Sequence, residues 1–132
     1  MSNVVLDASA VLALLNAEPG SELVADALAG GVTMSAINLA EVVAKLSEAG
    51  MGADRIREAI DLLAIHIADF DADTAYQTGL LRPRTRAAGL SLGDRACLAL
   101  AQRLGVPAVT TDRAWERLAL GVGVRIARPP AP

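Results

Sequence analysis

The apolar pattern changes period several times along the chain. Val4-Val5-Leu6 is an unbroken apolar run, rich in β-branched valine and too short for a helix, so it predicts a strand buried on both faces. It ends abruptly on Asp7. Ala8 to Asn16 is rich in Ala and Leu and predicts a helix. Glu18-Pro19-Gly20-Ser21 is a turn, with Ser21 placed to cap a second helix to about Ala29, and Gly30-Gly31 stops it. Val32-Thr33-Met34 predicts a second strand. Ser35 or Asn38 then caps a helix through Ala49, in which Leu39, Val42, Val43 and Leu46 recur at helical spacing. Asp54 to Ala64 predicts a helix with Ile56, Ile60 and Leu63 on one face, and Ile65-His66-Ile67-Ala68 a third strand. Asp71 or Asp73 caps the next helix, which runs towards Leu81 and ends at or past Pro83. Gly89 to Gly93 predicts a loop and Asp94 to Leu104 a helix closed by Gly105. Val106 to Thr111 predicts a fourth strand and Arg113 to about Leu118 a short helix. Val122 to Ile126 is the candidate for a fifth strand.

Strands alternating with helices define an α/β fold, a central parallel sheet of four to five strands flanked by helices on both faces. A length of 132 residues suits one domain, and 53% hydrophobic with 20% charged residues suits a packed core. The folded unit is expected over residues 1–128, with 129–132 as a proline-rich tail. No apolar run is long enough to span a bilayer and no signal-peptide pattern opens the chain, so a cytoplasmic location without membrane attachment is expected. Cys97 is the one cysteine, which excludes an internal disulfide and a Cys-based metal cluster; its Ala/Leu surroundings make it a small core residue. A net charge of -3 argues against a general nucleic-acid coat but leaves room for a local basic patch, and Arg82, Arg84 and Arg86 form one. Aromatics at 2% disfavour RNA binding on stacked aromatic platforms.

The acids carry the chemistry. In a parallel sheet, a helix after a strand starts at that strand's carboxyl edge, and so does a helix that precedes a strand. Asp7 and Asp112 follow the first and fourth strands, Glu41 lies early in the helix after the second, and Asp94 opens the helix before the fourth. All four therefore belong to the edge where open α/β sheets bind ligands. Each is set in an apolar segment, where an acid is costly unless compensated. Clustered carboxylates call for a divalent cation, and an oxygen-only set suits Mg²⁺ or Mn²⁺. Singly, Asp7, Asp94 and Asp112 are each good helix N-caps; Glu41, inside a helix among apolar residues, is not. Ser9, Asn38 and Thr111 stand beside the acids, either to orient them or as caps. Asp69, Asp71 and Asp73 read as caps and solvated residues, Glu116 as a surface acid, and His66 as structural. The chain has no Gly-rich phosphate loop, no nucleophile elbow and no CxxC pair.

The run Val5-Leu6-Asp7-Ala8-Ser9-Ala10, then Ala40-Glu41-Val42, then Ser91 to Ala101 around Asp94, then Thr110-Thr111-Asp112-Arg113-Ala114-Trp115, resembles PIN-domain ribonucleases. Within them it is similar to the VapC toxins of bacterial toxin–antitoxin pairs. The resemblance covers nearly the whole chain, outside the proline tail. It implies a PIN-like α/β/α sandwich with Asp7, Glu41, Asp94 and Asp112 as the acidic metal site. It also implies Mg²⁺- or Mn²⁺-dependent endonucleolytic cleavage of structured RNA such as tRNA, a homodimer, and inhibition by a VapB-type antitoxin protein. Arg82, Arg84 and Arg86 are then candidates to hold RNA. The exposed side of the first two helices, around Leu14, Leu15 and Leu23, is a candidate dock for an antitoxin helix. The alternative is a PIN-fold module that binds RNA or protein without cutting. The presence of all four acids favours cleavage.

Overall fold

A computed structural model describes residues 3–129. The strands are β1 (Val4–Leu6), β2 (Val32–Ser35), β3 (His66–Ala68), β4 (Ala108–Thr110) and β5 (Val124–Ile126). They form one sheet in the order β3-β2-β1-β4-β5, with every neighbouring pair parallel. The helices are α1 (Ala8–Leu15), α2 (Ser21–Ala29), α3 (Ala36–Glu48), α4 (Ala53–Asp61), α5 (Ala72–Leu80), α6 (Arg82–Thr85) and α7 (Leu92–Leu104), with a 3₁₀ turn over Arg113–Arg117. Strand order leaves β1 in the centre and reverses there: the chain moves outward through β2 and β3, then returns to add β4 and β5 on the other side. Such a reversal opens a crevice at the strands' carboxyl edge.

Side-chain alternation along β1 splits the core in two. Val4 and Leu6 face a cluster with Val11, Val24, Met34 and Val42, under α1 to α4. Val5 faces the other cluster, with Leu98, Leu100, Ala108 and the fully buried Trp115. Both faces of β1 are thus covered, which is why its sequence is continuous valine and leucine without alternation.

Several element ends differ from the sequence reading. Ser21 is the first residue of α2 and not its cap; Gly20 holds the cap position with φ 97° and no side-chain bond. A Cβ at Gly20 would run into the Ala127 carbonyl, so close approach to the end of β5 fixes glycine there. Ser35 caps α3, its hydroxyl accepting from Ile37 N at 3.2 Å, and Asn38 is free for other work. Asp71 caps α5 by accepting from Thr74 N at 2.9 Å. Helix α7 begins at Leu92, so the Gly89–Gly93 loop is shorter than expected, and its cap is Ser91 rather than Asp94. Strand β4 ends at Thr110, and β5 confirms the fifth strand. His66 is exposed on the edge strand. Leu14 and Leu15 pack against the core and only Leu23, at 36%, stays open, so the expected apolar side of α1 and α2 is largely used internally. Of the proline tail, residues 130–132 lie outside the described residues. Among the described residues, no helix is long and apolar enough to cross a membrane.

Candidate active site

Asp7 leaves β1 and caps α1, and it is only 4% exposed. Three donors hold its carboxylate. Oδ1 accepts from the Ser9 hydroxyl at 2.7 Å and Ala10 N at 2.8 Å, and Oδ2 accepts from the Thr110 hydroxyl at 2.5 Å. Burial pushes its pKa from 3.8 up to about 6; the three hydrogen bonds oppose this, and the neighbouring Asp94 charge adds to it.

Glu41 reaches the same place from α3. Its Oε1 accepts from Asn38 Nδ2 at 2.8 Å, and the same nitrogen donates to Gly93 O at 3.0 Å, tying α3 to the start of α7. Both partners are acceptors, so the amide nitrogen must face them. The other end of this amide, Oδ1, is buried and has no partner among the described residues, although Asn38 is 1% exposed. The Glu41 carboxylate occupies the space that a side chain at position 93 would fill. A Cβ there would lie 2.5 Å from Glu41 Oε2 and 2.6 Å from its Cδ.

Asp94 sits in the first turn of α7. Its Oδ2 accepts from Ser91 N at 3.0 Å while its own N–H donates to the Ser91 hydroxyl at 3.2 Å, a reciprocal capping box. Asp7, Glu41 and Asp94 line one pocket of ≈ 220 Å³, with Ala8, Ser9, Leu12, Asn38 and Lys45. Cys97 is buried nearby: burial first, then the negative charges of Asp7, Asp94 and Glu41, push its thiol well above the ordinary range and keep it inert.

The structure thus brings three of the four expected acids to one pocket. Asp112 stays beside it. Its carboxylate caps the 3₁₀ turn, with Ala114 N donating to Oδ1 at 2.9 Å, and its own N–H donates to the Thr110 hydroxyl at 3.1 Å. Ser9 orients Asp7 as expected. Thr111 contributes only a backbone N–H, to Ser9 Oγ at 3.0 Å; the threonine that grips Asp7 is its neighbour Thr110. Parallel pairing of Leu6 with Val109 sets Thr110 opposite Asp7, a consequence of register rather than of local sequence. Lys45 is a second residue that sequence reasoning missed, although its spacing of four from Glu41 put both on one helix face. Arg82 and Arg84 donate to Leu90 O at 3.4 Å and Ala119 O at 2.6 Å; neither they nor Arg86 line the pocket. A wider groove of ≈ 500 Å³, mostly aliphatic, lies between α3, α4 and β3, away from the acids.

Among the described residues, no three His, Cys, Asp or Glu side chains converge tightly enough to hold one ion together. The donor set nonetheless fits Mg²⁺, which keeps several waters and takes one or two carboxylates rather than a full protein cage. A carboxylate offers about four acceptor positions. The three donors on Asp7 leave about one of these free, and the absent Cβ of Gly93 gives the Glu41 carboxylate its room.

A parallel sheet reversing at β1, with three carboxylates lining one pocket, defines an α/β domain with a candidate acidic site. The family model described as PIN domain matches residues 4–120, and the chain belongs to that family. Its fold is similar to a chain of the DNA-bound VapBC from Salmonella typhimurium, at 20% identity and TM-score 0.73 over 96% of this chain and 99% of that one. It is similar to a chain of a toxin–antitoxin complex from Klebsiella pneumoniae, at 18% identity and TM-score 0.74 over 94% and 97%. It is also similar to VapC20 of Mycobacterium tuberculosis, described as a sarcin–ricin loop cleaving toxin, at 20% identity and TM-score 0.68 over 90% and 98%. At these identities the likeness is one of fold. No curated protein matches the chain by sequence.

Proposed function

We propose that this chain is a Mg²⁺- or Mn²⁺-dependent endoribonuclease of the VapC type, the toxin of a toxin–antitoxin pair. The observation that carries the reading is the convergence of Asp7, Glu41 and Asp94 on one pocket at the carboxyl edge of a PIN-domain sheet. In this reading Asp7, Glu41 and Asp94 are the metal-holding acids, and Asp112 supports them from the adjacent strand end. A divalent cation held there supplies water activation and neutralises charge developing on the phosphodiester. Ser9 and Thr110 fix both oxygens of Asp7, and Asn38 fixes Glu41 against α7. Substrate RNA is expected to be structured, tRNA among the candidates, and Arg82, Arg84 and Arg86 are proposed to hold it outside the pocket.

The proposed partner is a VapB-type antitoxin, supported by structural neighbours that are themselves toxin–antitoxin complexes. The proposed location is the cytoplasm. A homodimer is also proposed, and the exposed Tyr76 and Leu80, one turn apart on α5, are apolar surface of the kind a second copy covers.

The test is incubation of the purified chain with total RNA, with Mg²⁺ or with EDTA, beside Asp94→Asn and Glu41→Gln. Discrete fragments made only by the unmutated protein with metal are expected. If no metal-dependent fragments form, or if both variants cut as well as the parent, the nuclease reading fails and the non-cleaving binding module takes its place.

A further inference from the structure

We propose that Lys45 is the phosphate-binding residue of the acid pocket, holding the RNA strand by a phosphate beside the one the carboxylates address. The inference rests on the nuclease reading above. Lys45 lies one turn after Glu41 on α3 and lines the same pocket as Asp7, Glu41 and Asp94. It is the cationic member of that lining. An RNA strand entering a pocket of carboxylates meets repulsion at every phosphate, and a local ammonium is the compensation that lets one phosphate settle there.

The lysine is available for this. A Glu followed four residues later by Lys is the favourable arrangement for a helical ion pair. Here that pair is not closed: Glu41 accepts from Asn38, and the one ion pair within 4.0 Å among the described residues is Arg113–Glu116. Lys45 is exposed and its ammonium has no partner among the described residues. Arg82, Arg84 and Arg86 do not line this pocket, so the phosphate contacts proposed for them lie outside it. Asn38 lines the pocket as well, is 1% exposed, and donates to both Glu41 and the Gly93 carbonyl, which holds the Glu41 carboxylate on α7 rather than on Lys45.

The role makes two opposite-signed expectations. Removing the ammonium weakens a phosphate contact, and the same removal takes a positive charge away from the place where a divalent cation binds. Lys45→Gln and Lys45→Arg in the full chain test this with two probes. Mn²⁺ alone is titrated by calorimetry. A short mixed-sequence single-stranded oligoribonucleotide is titrated by fluorescence anisotropy in EDTA over a salt series.

Lys45→Gln is expected to lower the slope of log affinity against log salt by about 0.7, the share of one single-strand phosphate contact, which is about fivefold in affinity near 0.1 M salt. It should also bind Mn²⁺ more tightly than the parent, while Lys45→Arg keeps the parental slope. A lysine that merely covers the helix surface would leave both titrations unchanged or move them in the same direction; either result overturns the proposal. If the parent binds both probes and Lys45→Gln cannot be told from it, only the role of Lys45 is lost. If the parent binds neither probe, the nuclease reading itself falls and Lys45 with it.

Discussion

Gly93→Ala separates the geometry of the site from the stability of the fold. The added Cβ would lie 2.5 Å from Glu41 Oε2, where ordinary contact begins near 3.4 Å. The Glu41 carboxylate must therefore retreat by about 1 Å, and misplacement on that scale costs on the order of 10²-fold in rate. Stability should hardly change. Glu41 is exposed and swings into water, losing its bond from Asn38, worth about 1 kcal/mol. Alanine in place of glycine in a helix returns up to about 1 kcal/mol. The sum is near zero, so the melting temperature should stay within about 4 °C of the parent. The assay is Mg²⁺-dependent RNA cleavage beside a thermal melt, with Glu41→Ala and the double variant included. Because the effect runs through Glu41, Gly93→Ala should add almost nothing once Glu41 is alanine. Parental cleavage by Gly93→Ala would refute the reasoning, as would a melt lowered by more than about 10 °C, which would mean that the Cβ strikes something besides Glu41.

Further expectations follow from individual residues. Without divalent metal, the folded pKa of Asp7, about 6, lies above its unpaired value of 3.8. The cost of its charge is therefore absent below about pH 4, grows as pH rises and is complete above about pH 6, at most about 3 kcal/mol. Asp7→Asn should melt higher than the parent in EDTA above pH 6, with the gap closing by pH 4; a gap that ignores pH would contradict this. Gly20→Ala meets the Ala127 carbonyl and a φ of 97°, both backbone constraints, and should cost about 2 kcal/mol or more in a denaturant melt. Replacing Arg82, Arg84 and Arg86 together with Gln should flatten the salt dependence of RNA binding; an unchanged slope removes them from the RNA contact.

What could be read from the chain was whatever depended on neighbours in sequence. Val4-Val5-Leu6 followed by Asp7 shows a buried strand ending on an acid, and the same logic located Glu41 and Asp94 at the sheet's carboxyl edge. The errors fall where a distant segment decides. Leu92-Gly93 looked like loop because glycine is a poor helix former; it is helix, and it is glycine because Glu41 comes from another helix to lie against it. The cap of that helix was nevertheless legible, since Ser91 and Asp94 have the spacing of a capping box. Thr110 and Thr111 are adjacent and chemically identical, so only the pairing of β1 with β4 distinguishes the one that grips Asp7. Ser21 has the chemistry of a cap, but Gly20 takes the position, where the Ala127 carbonyl after β5 leaves no room for a side chain.

The hydrogen bond from Thr110 to Asp7 joins residues 103 positions apart. A ribosome makes β1 first, and β2 can pair with one of its sides early. The other side waits for β4, which is made only after α7. Domains are laid down from the N-terminus at roughly 5–20 residues per second, so for some seconds the nascent chain carries Asp7 with neither Thr110 nor Asp94 beside it. A chain that cuts RNA would thus be harmless to the machine and message producing it until β4 has been made and paired, with no inhibitor needed for that interval.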